Sequence, residues 1–388
     1  MKNSIILLLL ITYSSTHCKT VRAAASSTPR RTQAQEESAQ TNVKDSICTT
    51  LFTQSIFDTL APRAIAPYSY TGFCNAVINW NRNYPLPIFS GETDTEKKNE
   101  LAAFLGHVLH ESHDFQAARE YSQCKTFTTD SVGKVYCKPV GYAGGTYTDP
   151  YCSLQHTPTT NPDGCACAPV SESPSMPGYV EADKLFFGRG PLQNSWNYNY
   201  KKLSDALGAE PGADICAAPD LVATNEEYAW ISAFLFWTTS TGAVDTTCCQ
   251  AVKCEGSFGS TLNVINGGLE CPAINGHEST IWERLNDYCA VASALGVEEL
   301  LSLDGCDGLK DQFDQCLASG WCPACAVWED KIGAPSTKEA QEECLSVSAP
   351  KQSALSAPKH ERPSSSSNSV QIGMTVLSSS LLLLSYLM

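Results

Sequence analysis

Thr93-Asp94-Thr95-Glu96-Lys97-Lys98-Asn99-Glu100-Leu101-Ala102-Ala103-Phe104-Leu105-Gly106-His107-Val108-Leu109-His110-Glu111-Ser112-His113 is the stretch that decides the fold class. Its first four residues have the form of a capping box, in which a threonine hydroxyl and a glutamate three positions on satisfy each other's backbone N–H groups. Leu101, Phe104, Leu105, Val108 and Leu109 then recur at the i, i+3, i+4, i+7, i+8 spacing of a helix that buries one face. The spacing predicts a helix from Thr93 onward. Glu111 falls beside Phe104 at the edge of the stripe, so its carboxylate is expected to be partly desolvated, which raises a carboxyl pKa. Three histidines close to a glutamate invite a zinc reading, but a metalloprotease helix needs His-Glu-x-x-His, and His113 comes one position early.

The same 3.6-residue period predicts helices over Thr50 to Leu60, Tyr198 to Leu207, Glu226 to Thr238 and Thr280 to Leu295, while strand-like alternation is scarce. The fold class is therefore mainly α. Between Cys124 and Tyr179 the chain is rich in Gly, Pro, Thr and Cys and is expected to be a long loop held by disulfides.

Length and composition set the outer limits. A chain of 388 residues, 43% hydrophobic, can bury a substantial core, and a net charge of -15 excludes a surface built for nucleic acid or anionic lipid. Residues 1–25 have the layout of a signal peptide: a basic start, an apolar run from Ile5 to Ile11 and small residues at Ala23 to Ala25. Nineteen cysteines, or eighteen once Cys18 leaves with the leader, read as a disulfide framework with up to nine bridges. The pairs Cys165/Cys167 and Cys322/Cys325 have zinc-like spacing, but secretion and the lack of paired histidines favour disulfides. No metal or organic cofactor is expected.

Residues 26–46 read as a flexible lead-in, 47–302 as the main compact domain, 303–346 as a Cys-rich appendage and 347–369 as a Ser/Pro-rich stalk. Residues 370–388 end in an apolar tail, Val376 to Met388, behind the small residues Ser364 to Asn368. That is the layout of a signal for a lipid (GPI) anchor. A spanning helix is the rival, disfavoured by the short stretch, its serines and the missing basic cluster. The expected location is extracellular, with any membrane attachment made through the anchor alone.

A second informative stretch is Phe186-Phe187-Gly188-Arg189-Gly190-Pro191-Leu192-Gln193-Asn194-Ser195-Trp196-Asn197-Tyr198-Asn199-Tyr200. If extended, it sets Gln193, Ser195, Asn197 and Asn199 along one edge and Leu192, Trp196, Tyr198 and Tyr200 along the other. Amides beside aromatic rings suit a surface that binds sugars. A polar surface strand is the plainer alternative.

At these two stretches the chain resembles the family 19 glycoside hydrolases, chiefly chitinases. Their helix ending in His-Glu-Thr or His-Glu-Ser matches Ala102 through Ser112, and their Tyr-Gly-Arg-Gly-Pro signature matches Phe187 through Tyr200. Pro219 to Thr224, Asn266 to Cys271 and Arg284 to Tyr288 continue the resemblance in order. It implies a lysozyme-like, bilobal α-helical domain with a substrate cleft and disulfide-stapled loops. The implied activity is endo-acting hydrolysis of β-1,4-N-acetylglucosamine links in chitin, with inversion, by a monomer.

By position, the resemblance makes Glu111 the general acid and Glu120, nine residues on, the general base, with Ser195 helping to hold the attacking water. Gln193, Tyr198, Asn199 and Asn266 would bind the sugar chain, and Glu270 and Arg284 would form a supporting charge pair. Asp114 and Glu181 are alternative bases. Peptidoglycan is the alternative substrate, and a catalytically silent wall-binding protein the alternative of another class.

An inverting pair of carboxyls stands about 6.5–9.5 Å apart to admit a water. Nine residues of unbroken helix would instead separate them by about 13.5 Å of rise. The helix is therefore expected to end just after Glu111, with Ser112-His113-Asp114 as the break. The family usually has glycines where this chain has His113 and Asp114.

Overall fold

The computed structural model describes residues 47–120, 124–139, 167, 171–208, 213–242, 244–273 and 276–348. The expected leader, lead-in and apolar tail, Cys165, and the stalk beyond residue 348 lie outside the described residues. Those that are described fall into two compact units. The first is drawn from Met1–Ile88 and Glu111–Phe236, the second from Phe89–His110 and Trp237–Met388.

In the first unit a wide helical turn over Ile47–Leu51 leads into α1, Gln54–Leu60, with Thr53 as its N-cap. The helix expected from Thr50 therefore begins later, because the Thr53 hydroxyl takes the Ile56 N–H and closes the end. Helix α2, Tyr70–Asn83, is capped in the same way by Ser69, whose hydroxyl accepts the Gly72 N–H at 2.9 Å. Phe73 packs edge-on against Phe52 at 5.1 Å and Trp230 at 5.0 Å, and Phe115 lies 5.5 Å from Phe57 and 5.6 Å from Trp230. This aromatic cluster is the core of the unit.

The segment expected to be loop carries a sheet of order β1-β2-β3: Cys124–Thr129, Val135–Pro139 and Val180–Glu181, all antiparallel. Asp130 closes the β1-β2 turn by accepting the N–H groups of Val132 and Lys134, Gly133 supplies a φ of 86°, and Cys124–Cys137 staples the hairpin. Helix α4, Asn197–Leu207, and α5, Glu226–Thr239, follow their sequence spacing closely. Residue 236 of α5 is the last of this unit.

In the second unit the capping box forms: the Thr93 N–H donates to Glu96 at 2.9 Å and the Glu96 N–H to Thr93 at 3.2 Å. Helix α3, Asp94–Glu111, follows. It is more deeply buried than a one-sided stripe, since every residue from Glu100 to Leu109 is buried. Gly106 makes this possible: a Cβ there would lie 2.7 Å from the Cα of Tyr288, so glycine permits the backbone approach. Tyr288 belongs to α7, Glu278–Leu295, which is preceded by α6, Phe258–Glu270, and followed by α8, Leu309–Ser319, and α9, Lys338–Ser348. Of these only α7 was legible as a periodic segment. The core packs Phe104 edge-on against Phe89 and Trp237, and Phe258 face to face on Tyr288 at 3.9 Å.

Seven disulfides join described cysteines. Cys254–Cys344, Cys271–Cys306 and Cys289–Cys325 tie residues 303–346 to α6, α7 and the turn before them. Cys322 and Cys325 are both bridged, so their spacing holds no metal. The nine bridges that the count allows are not reached, because Cys248 and Cys249 are free thiols. Among the described residues no helix is long and apolar enough to cross a membrane.

Candidate active site

Helix α3 stops at Glu111, and the chain reverses at the expected break. His113, Asp114 and Phe115 all take left-handed backbone, with φ of 50°, 55° and 59°. For residues other than glycine this costs about 1–2 kcal/mol each, so something must hold it. Ser112 does much of this: its carbonyl accepts the N–H groups of Gln116 at 3.0 Å and Ala117 at 2.8 Å, and its hydroxyl accepts that of Phe115 at 3.1 Å. The Phe115 ring is buried in the aromatic core. Packing thus enforces the geometry that glycines would adopt freely.

The chain then returns beside the Gly-Arg-Gly segment. Glu120 donates its N–H to the Gly188 carbonyl at 2.8 Å, Gly190 donates to Ala118 at 3.1 Å, and Arg119 bridges Arg189. A Cβ added to Gly188 would stand 2.8 Å from Oε1 of Gln193 and 3.1 Å from Oε2 of Glu120. Both side chains therefore converge over Gly188, where only a hydrogen leaves room for them. Glu111 and Glu120 are each half-buried.

Residues 189–196 form a tight turn, not the extended edge expected from their alternation. Arg189 and Asn194 exchange backbone hydrogen bonds at 3.2 and 2.8 Å, Gln193 and Trp196 have φ of 47° and 74°, and α4 begins at Asn197. Asn197 is consequently buried, its amide donating to the Cys167 carbonyl at 3.2 Å. Gln193 donates to the Gly190 carbonyl and Asn199 to that of Ser195. Ser195, Tyr198 and Asn199 remain half-buried on this turn, and Trp196 and Tyr198 stack at 6.1 Å. Amides and aromatic faces are still neighbours, on a turn and a first helical turn.

Behind the turn lies an ionic cluster. Arg119 grips Asp220 with two hydrogen bonds, 2.7 and 2.6 Å, and Arg189 donates to the same carboxylate at 3.2 Å. Arg189 is fully buried, with its other N–H groups on the carbonyls of Leu185 and Ala182 and on the Tyr200 hydroxyl. Burial pushes the Asp220 carboxyl up, but the hydrogen bonds and charges of Arg119 and Arg189 outweigh it and hold it below the usual carboxylate range.

The remaining expected residues lie in the second unit and form one network. Arg284 donates to both oxygens of Glu270 at 3.0 and 2.8 Å, and Asn266 donates to Glu270 at 2.5 Å. Asn266 itself sits at a kink in α6, with φ of -141° and ψ of 29°. His107 joins through Arg284 at 3.1 Å and Thr261 at 2.8 Å. Of the alternative bases, Glu181 is committed to Lys134 at 2.6 Å, and Asp114 sits within the left-handed turn.

The sequence of residues 139–305 matches the family model described as chitinase class I. Endochitinase CH25 of Brassica napus is 31% identical over 251 residues, which is 61% of this chain and 64% of the relative. An endochitinase of Carica papaya is 31% identical over 278 residues, covering 66% of this chain and 95% of the relative. The chain belongs to the family 19 glycoside hydrolases. It spans less than two thirds of the length of the Brassica napus relative. The crystal structure of chitinase C from Streptomyces griseus HUT6037 is 26% identical, with a TM-score of 0.43 over 64% of this chain and 78% of that one.

Two members of the ionic cluster are not marked by the sequence. Arg119 gave no signal beyond standing next to Glu120, and Asp220 was read only as part of Pro219 to Thr224. Arg189 stands in the sequence only as part of the Gly-Arg-Gly segment, while in the structure its buried guanidinium holds Asp220, Leu185, Ala182 and Tyr200 together.

Proposed function

We propose that this family 19 chain hydrolyses β-1,4 links between N-acetylglucosamine units of chitin, from within the polymer and with inversion at the anomeric carbon. The observation that carries this reading is the return of Glu120 to Gly188 and Gln193 directly after α3 ends at Glu111. Glu111 acts as general acid on the glycosidic oxygen and Glu120 as general base on water, which Ser195 helps to hold. Gln193, Tyr198, Asn199 and Asn266 bind the sugar chain. The buried pair of Glu270 and Arg284 braces α6, on which Asn266 stands.

Residues 47–302 form the catalytic domain, and 303–346 an extension tied to it by disulfides. Seven bridges support synthesis into an oxidising compartment. The leader at residues 1–25 directs secretion, and the tail at 370–388 is exchanged for a lipid anchor that holds the enzyme at the cell surface.

The test is incubation of the secreted form with chitohexaose, with product anomers read by NMR. Initial α-anomer products support the reading, and β-anomers overturn inversion. Reducing ends released from purified murein but not from chitin would overturn the substrate. Glu111→Gln should lower the rate by about 10²- to 10⁴-fold while still binding the oligosaccharide, and full turnover by that variant would remove Glu111 from its role.

A further inference from the structure

Glu120 is placed by a two-residue segment whose other side chain is locked. In paired extended backbone, successive side chains point to opposite faces, so fixing Arg119 on one face fixes Glu120 on the other. Arg119 is fixed by a two-pronged hydrogen bond to Asp220, 2.7 Å from Nε and 2.6 Å from Nη2. Such fork geometry constrains direction as well as distance.

The strand against which the segment pairs is held by the same carboxylate. Arg189, directly opposite Arg119, donates to Asp220 Oδ1 at 3.2 Å and is otherwise wrapped by the carbonyls of Ala182 and Leu185 and the Tyr200 hydroxyl. Two guanidinium groups on facing residues would repel each other without the anion between them. One carboxylate thus joins the two paired segments between which Glu120 reaches over Gly188, whereas Gln193 is held by the hydrogen bonds of its own turn.

We propose that Asp220 is the positioning residue for the general base, joining the Arg119-Glu120 segment to the Gly188-Arg189-Gly190 segment so that the Glu120 carboxylate is held over Gly188. The inference rests on the reading of Glu120 as base. It predicts that Asp220 acts on turnover more than on substrate capture, since Glu120 steers water while Gln193, Tyr198 and Asn199 bind sugar.

The experiment compares Asp220→Asn, Arg119→Lys and Glu120→Gln on chitohexaose, with near-ultraviolet circular dichroism to establish that each variant is folded. Asp220→Asn keeps the size of the side chain and removes the charge. Arg119→Lys keeps a charge and removes the fork, and its side chain is partly exposed, so it serves should the first variant not fold. A displacement of about 1 Å at a reacting group costs up to about 10²-fold, so kcat is expected to fall by about 10- to 100-fold in either variant, with KM within about twofold.

Folded variants with wild-type kcat would overturn the positioning role, as would KM rising as much as kcat falls. If Glu120→Gln itself turns over at the wild-type rate, the base assignment fails and the proposal falls with it. That outcome is distinct from an inactive Glu120→Gln beside a fully active Asp220→Asn, which would sink the proposal alone.

Discussion

Nη1 of Arg284 lies 3.1 Å from Nδ1 of His107, and because a guanidinium only donates, Nδ1 must be the unprotonated nitrogen. The imidazole proton is therefore on Nε2, donated to the Thr261 hydroxyl at 2.8 Å, which in turn donates to the Phe258 carbonyl at 2.6 Å. Burial, followed by the charge of Arg284, holds the His107 pKa well below its ordinary value of 6.5. The folded ring stays neutral where the unfolded ring takes up a proton.

Stability is accordingly complete above the unfolded pKa near 6.5 and declines as the pH falls below it, because the unfolded state binds the extra proton. The limiting slope from one such group is about 1.4 kcal/mol per pH unit. Urea unfolding of wild type and His107→Gln at pH 7 and pH 5 isolates this contribution. The glutamine variant should be the less stable at pH 7, with a smaller drop on acidification. Equal drops in the two proteins would mean that His107 is not the source.

Gly188 gives a steric test of the same site. Its φ is not in the left-handed region, so alanine meets no backbone penalty, but the new methyl would stand 2.8 Å from Gln193 Oε1 and 3.1 Å from Glu120 Oε2. Gly188→Ala should fold normally and lose about 10-fold or more in kcat/KM on chitohexaose, since the displaced groups are the proposed base and a proposed sugar ligand. Unchanged kinetics would show that the two side chains do not share this space.

Helix α3 was legible because cap and period agreed, and the outcome includes both reciprocal bonds of Thr93 and Glu96. Helices α2 and α6 were not. Tyr70–Asn83 does bury a stripe, Phe73, Ala76, Val77 and Trp80, but a small alanine stands in it, and Phe258–Glu270 is glycine-bearing with a kink at Asn266, so each is harder to recognise than the large apolar run of α3. The hairpin β1-β2 hid because β1 is largely exposed, and because the buried residues of β2, Tyr136 and Cys137, are adjacent and so fall on opposite faces, which leaves little alternation to read. At the site, the resemblance singled out Glu111 and Glu120, and helix rise then required a break between them. The clamp on Arg119 did not, since Asp220 is a hundred and one residues away in sequence and only tertiary contact pairs them.

His113 and Asp114 carry a conformational cost that substitution can relieve. Both are non-glycine residues with φ of 50° and 55°. Glycine adopts that region freely but gains entropy in the unfolded chain, so the net gain is smaller than the strain itself. His113→Gly and Asp114→Gly are each expected to stabilise by about 0.5–1 kcal/mol, read as a higher urea midpoint at unchanged m-value. A lower midpoint in both would mean that side-chain contacts of His113 and Asp114 outweigh their backbone strain.

Cys248 and Cys249 set apart the disulfide count from the disulfide chemistry. An even number of cysteines in an oxidising compartment argues for complete pairing, yet these two are adjacent and unbridged, one buried and one half-buried. Burial pushes the Cys248 thiol well above its ordinary range. It also raises that of Cys249 to about 12, helped by the Glu100 carboxylate and opposed by Lys253. Since the thiolate is the reactive species, the fraction available at pH 8 is only about 10⁻⁴. Ellman's reagent should therefore label neither residue in the native protein on the timescale of free cysteine, and label both after denaturation without reductant. Peptide mapping that finds either one bridged, or rapid native labelling at Cys249, would contradict the burial that keeps this pair reduced.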